Sequence, residues 1–159
     1  MHELDLLRQA CEYASRNSDD PRTKVGAVLV TPHARVFGAN TFPQGVYRDP
    51  ERLKPATKYR FVEHAERAAI FKAASQGVST AGARLFCPWF ACTDCARAVI
   101  AAGISEVVGL AVLRNETPER WEADIRLAER MLSEAGVSTR LIADKINARV
   151  RFDDRYIYV

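Results

Sequence analysis

The chain has 159 residues, 48% apolar and 27% charged, which is enough for one continuous core and too little for two ordinary domains, so residues 1–159 are expected to form a single domain. A net charge of +3, with arginines interleaved among acids, falls short of the basic stripe that grips nucleic acid but leaves room for a small anionic ligand. No apolar run approaches the roughly 20 residues that span a bilayer, and the mixed opening MHELDLLRQA lacks signal-peptide character, so neither a membrane nor a nucleic-acid partner is expected and the expected compartment is cytoplasmic.

Leu4, Leu7, Cys11 and Ala14 recur at helical spacing and predict an amphipathic helix over 3–16, ended by polar residues and Pro21, with Cys11 as a core residue on its apolar stripe. A β-branched run at 25–30, a turn at 31–34 and a second run at 35–39 predict two antiparallel strands. Residues 40–60 carry Pro43, Gly45, Pro50 and Pro55, which leaves a long loop with room for a turn of helix; loops of that size in compact domains are usually functional or disordered. Helix formers fill 63–75 and stop near Gly77. A strand over 83–87, a helix over 93–102 stopped by Gly103, and a strand over 106–111 follow.

A helix over 118–135 places Trp121, Ile125, Ala128, Leu132 and Ala135 on one face, with Thr117 positioned to cap it, Pro118 in its first turn and Gly136 past its end. A strand over 137–142 comes next, and the tail 148–159 reads as either a further strand or an interface arm. The strand-helix-strand order implies parallel pairing with right-handed crossovers, hence an α/β fold: a three-layer α/β/α domain with a mixed five-stranded sheet.

The chemistry concentrates in two short motifs, His64-Ala65-Glu66 and Cys92-Thr93-Asp94-Cys95, each at the predicted start of a helix. Cysteines three apart share a face of the first helical turn, where free N–H groups and the positive end of the helix dipole favour thiolates, the form that binds metal. His64 supplies a third ligand once the two helix starts meet at one edge of the sheet. Three protein ligands leave a tetrahedral Zn2+ with an open position, the mark of a catalytic site. Glu66, two residues from the histidine, points elsewhere and is free to act as the catalytic proton shuttle.

His-x-Glu followed by Pro-Cys-x-x-Cys is the signature of zinc deaminases that act on nucleobases. A redox Cys-x-x-Cys would not need the upstream His-x-Glu, and Cys87, at a strand end redirected by Pro88, reads as buried rather than as a fourth ligand. His2 and His33 fall at the terminus and in a turn, where solvated side chains are expected.

With these motifs the chain resembles the deoxycytidylate (dCMP) deaminase family of the cytidine deaminase-like superfamily, over about residues 1–140. The segment from Ser18 to Val30 is similar to the one preceding that family's first strands, Gly38-Ala39-Asn40 with Phe42 to Gly45 to its substrate loop, and Thr57 to Arg60 to the run into its metal-binding helix. The resemblance implies hydrolytic deamination of a small-molecule substrate, a homo-oligomer, Asn40 hydrogen-bonded to the sugar or base, the Ala65 N–H on the pyrimidine carbonyl, and Phe90, Ala91 and Trp89 around the ring.

The chain departs from the family at Ala68, where asparagine is usual, and at Ala91, where proline is usual; both changes bear on substrate identity and not on metal binding. A nucleoside, a free base or another amino-heterocycle therefore remains an alternative substrate, and a catalytically silent zinc module an alternative class. Arg22, Lys24, Arg48, Arg52, Lys58 and Arg60 cluster around the 40–60 loop as candidate phosphate ligands.

Overall fold

The computed structural model describes residues 2–159, so of the expected domain only Met1 lies outside the described residues. Helix α1 (Glu3–Asn17) buries Leu7, Cys11 and Ala14 of the expected stripe together with Leu6 and Ala10, while Leu4 is half-buried. Strands β1 (Gly26–Val30) and β2 (Arg35–Ala39) pair antiparallel with Gly26 opposite Ala39 and Val30 opposite Arg35. The 40–60 loop contains a single 3₁₀ turn, Pro50–Leu53, before the short helix α2 (Lys58–Phe61). Helix α3 (Ala65–Ser75), strand β3 (Arg84–Phe86), helix α4 (Thr93–Ala101), strand β4 (Glu106–Leu110), helix α5 (Ala111–Asn115), helix α6 (Glu119–Glu134) and strand β5 (Ser138–Ile142) complete the main body.

The five strands lie in the order β2-β1-β3-β4-β5, antiparallel from β2 through β3 and parallel from β3 through β5. This is the expected mixed sheet. Strand alternation splits its side chains between two cores. Ala27, Leu29, Leu85 and Val107 pack with α3, α4 and α6 on one face, while Val28, Phe86, Val108 and Leu110 pack with α1 and Leu113 of α5 on the other. Each layer therefore covers an apolar face that it could not leave in water.

Three expectations need correction. The helix expected over 63–75 starts only at Ala65, because Glu63 is held by Thr41 through paired backbone hydrogen bonds of 2.8 and 3.2 Å. Thr117 does not cap α6: Pro118 occupies that position, and the Thr117 hydroxyl donates back to the Leu113 carbonyl at 3.5 Å. The tail is a hairpin, β6 (Arg149–Phe152) and β7 (Arg155–Tyr158), forming its own two-stranded sheet. Its two-residue turn holds Asp153 and Asp154 at φ 44° and 66°, the left-handed region a tight hairpin demands and that aspartate tolerates. Val150 and Val159 are buried in the second core, and the Asp153 and Asp154 N–H groups donate to the Thr23 hydroxyl and the Arg22 carbonyl, so the hairpin is pinned to the segment before β1.

Candidate zinc centre and active-site cleft

The position of α3 follows from a missing side chain. An added Cβ on Gly38 of β2 would lie 2.1 Å from the Ala65 carbonyl oxygen and 2.5 Å from the Ala69 nitrogen, so glycine lets the helix backbone rest directly on the strand. His64 thereby becomes the N-cap residue of α3, and Cys92 is the N-cap residue of α4. Neither side chain caps its own helix. The start of α4 is capped instead from α6: Asp124 accepts from the Thr93 N–H at 2.9 Å and from its hydroxyl at 2.7 Å. Arg67 ties the two helix starts together through Glu63 at 2.6 Å and Asp94 at 3.4 Å.

This framework brings His64, Cys92 and Cys95 together with their donor atoms within 4.8 Å of one another. The His64 Nδ1 lies 3.4 Å from the Cys92 Sγ and 3.5 Å from the Cys95 Sγ. A tetrahedral zinc with ordinary Zn–S and Zn–N bonds places sulfur and nitrogen about 3.5 Å apart, so the donor set fits the ion in spacing as well as in chemistry. Cysteine 95 is fully buried and Cys92 half-buried. A hydrogen bond from Cys95 leads the effects that bring the Cys92 thiol down to about 4, against burial and with help from His64, which favours the thiolate form that binds metal. The same hydrogen bond, then burial, pushes the Cys95 thiol well up, which leaves its proton to be released on metal binding. Burial alone would lower the His64 imidazolium; the Cys92 hydrogen bond and the Glu66 charge outweigh it and raise it.

Glu66, on the first turn of α3, is 4% exposed, and burial raises its carboxyl above the ordinary range. It lines the same cleft as His64 and Cys92, so a proton-carrying group and the metal donors face one space. Cys11 and Cys87 stay apart from the donor set, both buried and both raised by burial. His2 and His33 are exposed.

Asn40, Ala65 and Phe90 line the cleft; Ala91 is buried but is not among its lining residues, and neither is Ala68. The Asn40 amide is a structural hub: its oxygen accepts from the Val25 N–H at 3.0 Å and from the Ser18 hydroxyl, and its nitrogen donates to the Thr23 carbonyl at 2.6 Å. One amide N–H remains for a ligand. Of the six basic residues gathered around the 40–60 loop only Lys58 lines the cleft, and its ammonium is committed to the buried Asp20 at 2.8 Å. Arg48 pairs with Asp19, and Arg52 lies over the Phe61 ring at 4.7 Å.

Sequence reasoning missed the opposite wall. Arg120 and Trp121 from α6 and Phe152 and Asp153 from the hairpin tip line the cleft as well. Phe152 stacks on Trp89 with ring centroids 4.4 Å apart, and Tyr59 links the edge of His64 at 6.2 Å to that of Trp121 at 5.6 Å. A phenylalanine before two aspartates, in a tail read only as a further strand or an interface arm, was the available signal.

The family model describing the cytidine and deoxycytidylate deaminase zinc-binding region matches residues 2–111. A probable deoxycytidylate deaminase of Drosophila melanogaster is 31% identical over 167 residues, covering 96% of this chain and 79% of that protein. The human deoxycytidylate deaminase is 30% identical over 140 residues, 83% of this chain and 75% of that one. The dCMP deaminase of cyanophage S-TIM5, solved in complex with dCMP and dUMP, superposes with a TM-score of 0.66 at 25% identity, covering 86% of this chain and 93% of that one. With a donor triad spaced for zinc at its paired helix starts, the chain belongs to the zinc-dependent cytidine and deoxycytidylate deaminase family.

Proposed function

We propose that the protein deaminates dCMP hydrolytically to dUMP and ammonia, with His64, Cys92 and Cys95 holding the zinc and Glu66 moving the protons. The observation that carries this reading is a buried carboxyl facing the same cleft as a sulfur and nitrogen donor set spaced at 3.4 and 3.5 Å. Relatives named as deoxycytidylate deaminases support the choice of substrate.

Bound zinc supplies a Lewis acid that makes water a better nucleophile near neutral pH. Glu66 accepts the first water proton and passes it to the ring nitrogen beside the amino-bearing carbon; it then takes the second proton from the hydroxyl added to that carbon and delivers it to the amine as the C–N bond breaks and the carbonyl forms, so that one water is consumed and one ammonia released. Burial suits it to this role, because a carboxyl raised above its ordinary range holds more firmly the proton it takes from water before passing it on. The Ala65 N–H, at the start of α3, and the remaining Asn40 amide hydrogen are donors for the ring carbonyl and the sugar. Phe90 presents an apolar face to the base.

The same reading takes residues 1–159 as one domain, supported by two cores that share one sheet. It places the protein in a reducing, cytoplasmic compartment, which suits four free cysteines, and gives it a small molecule rather than nucleic acid as its partner. It also takes the chain as a homo-oligomer, a state for which half-exposed Phe71 and Leu127 offer apolar contact. Purified protein supplied with dCMP tests the substrate: stoichiometric dUMP and ammonia are expected, and inertness toward dCMP with turnover of an unphosphorylated amine would overturn it.

A further inference from the structure

A nucleotide substrate needs a cation to meet its phosphate, and two line the cleft, Lys58 and Arg120. They are not equivalent. The Lys58 ammonium and the Asp20 carboxylate are 12% and 3% exposed, and the other Asp20 oxygen accepts from the Arg22 and Thr23 N–H groups at 2.9 and 3.3 Å. Breaking that pair would strand a buried charge, so Lys58 is a fixed part of the wall. Arg120 is 56% exposed and pairs with Asp153, itself 35% exposed, at the tip of the C-terminal hairpin. An ion pair in contact with water contributes little and exchanges readily.

Resting on the dCMP reading, we propose that Arg120 is the specificity-determining residue that takes the substrate phosphate, and that Asp153 holds the guanidinium in place until the phosphate displaces it. The planar guanidinium presents paired N–H donors to phosphate oxygens, a dianionic ligand that outcompetes a single carboxylate. The placement is consistent with a nucleotide lying along the cleft. Trp121, next to Arg120, is linked to His64 by two ring contacts through Tyr59, at 5.6 and 6.2 Å between centroids, which sets Arg120 apart from the donor set within one cleft, as the phosphate of a nucleotide is set apart from its amine. The Arg120 guanidinium also lies 5.9 Å from the Phe152 ring, and the hairpin is held by the bonds of Asp153 and Asp154 to Thr23 and Arg22, so Asp153 can let go without the tip unfolding. Both partners lie beyond residues 2–111, the part matched by the family model.

The test is kcat/KM for dCMP and for deoxycytidine, with the dissociation constant of dUMP from calorimetry, on zinc-loaded wild type, Arg120→Ala, Arg120→Lys and Asp153→Asn. Arg130→Ala, on an exposed turn of α6 paired with Glu134, is the control. Arg120→Ala should lower the dCMP to deoxycytidine ratio at least tenfold, mostly through KM, and weaken dUMP to a similar degree, with Arg120→Lys between it and wild type. Asp153→Asn keeps a residue suited to the turn and should act in the opposite direction, raising dUMP affinity about twofold or more as the competing carboxylate is removed. A pair that merely braced the hairpin would make both variants lose. An unchanged ratio in Arg120→Ala, or a loss in Asp153→Asn matching that of Arg120→Ala, would overturn the proposal while wild-type turnover of dCMP leaves the deaminase reading standing. Wild type inert toward dCMP would overturn both.

Discussion

Gly38→Ala is a one-methyl perturbation whose effect can be worked out from the contact it breaks. Gly38 lies in strand β2 and is not among the glycines with a left-handed backbone, so alanine suffers no conformational penalty there and the effect is purely steric. The new Cβ would meet the Ala65 carbonyl at 2.1 Å and the Ala69 nitrogen at 2.5 Å, where ordinary contact begins at 3.4 Å, and both obstacles are helix backbone. Helix α3 must therefore recede by roughly 1 Å from the strand. Overpacking of this kind costs about 1–3 kcal/mol, which for a domain of this size lowers the melting temperature by about 2–12 °C.

The same movement carries His64 and Glu66, the first residues of that helix boundary, away from Cys92 and Cys95. A misplacement of about 1 Å at a reacting centre costs on the order of 100-fold in rate. Thermal unfolding, zinc content and kcat/KM on dCMP should thus fall together. A variant that melts within a degree of wild type and turns over dCMP within twofold would refute the claim that the strand-to-helix contact sets the site.

Cys92→Ala and Cys95→Ala should each lose zinc on dialysis and melt at lower temperature, read by metal analysis and calorimetry; full retention in both would remove them from the donor set. In zinc-free protein Cys92, brought down to about 4, should react with iodoacetamide at a rate nearly flat from about pH 5.5 to 8, where an ordinary thiol gains about tenfold per pH unit, and added zinc should protect it. Glu3, on α1, is lowered from 4.5 to about 2 by hydrogen bonds from Arg140 and then Arg84. Its contribution to stability is present above the unfolded value near 4.5 and is lost as pH falls through about 2. These partly exposed pairs contribute no more than about 1 kcal/mol, so Glu3→Gln should trail wild type slightly at pH 7 in denaturant titrations and match it below pH 2.

What could be read from the sequence was what depends on near neighbours or on a repeating period. Leu7, Cys11 and Ala14 announce α1 because one face of a helix recurs every three to four residues, and the β1–β2 pair follows from two apolar runs around a four-residue turn. The zinc donors were legible because their spacing is itself the chemistry: two cysteines on one helical turn need only a third donor brought to them. The hairpin was not legible as such, since its turn uses Asp153 and Asp154 where glycine or asparagine would have advertised it. Nor could spacing reveal that Asp124, from another helix, caps α4, or that Asp20 had already claimed Lys58. The basic residues of the 40–60 loop could be named only as candidates for the same reason: a cation's partner is a tertiary fact.

The most direct test of the account is ammonia release from dCMP by wild type and by Glu66→Gln, measured on samples of equal, determined zinc content. One zinc per chain is expected in both, with rapid release by wild type and a loss of at least about 100-fold in the variant, because the proton carrier is removed while the metal donors stay. Substantial release by Glu66→Gln at full zinc occupancy would contradict it.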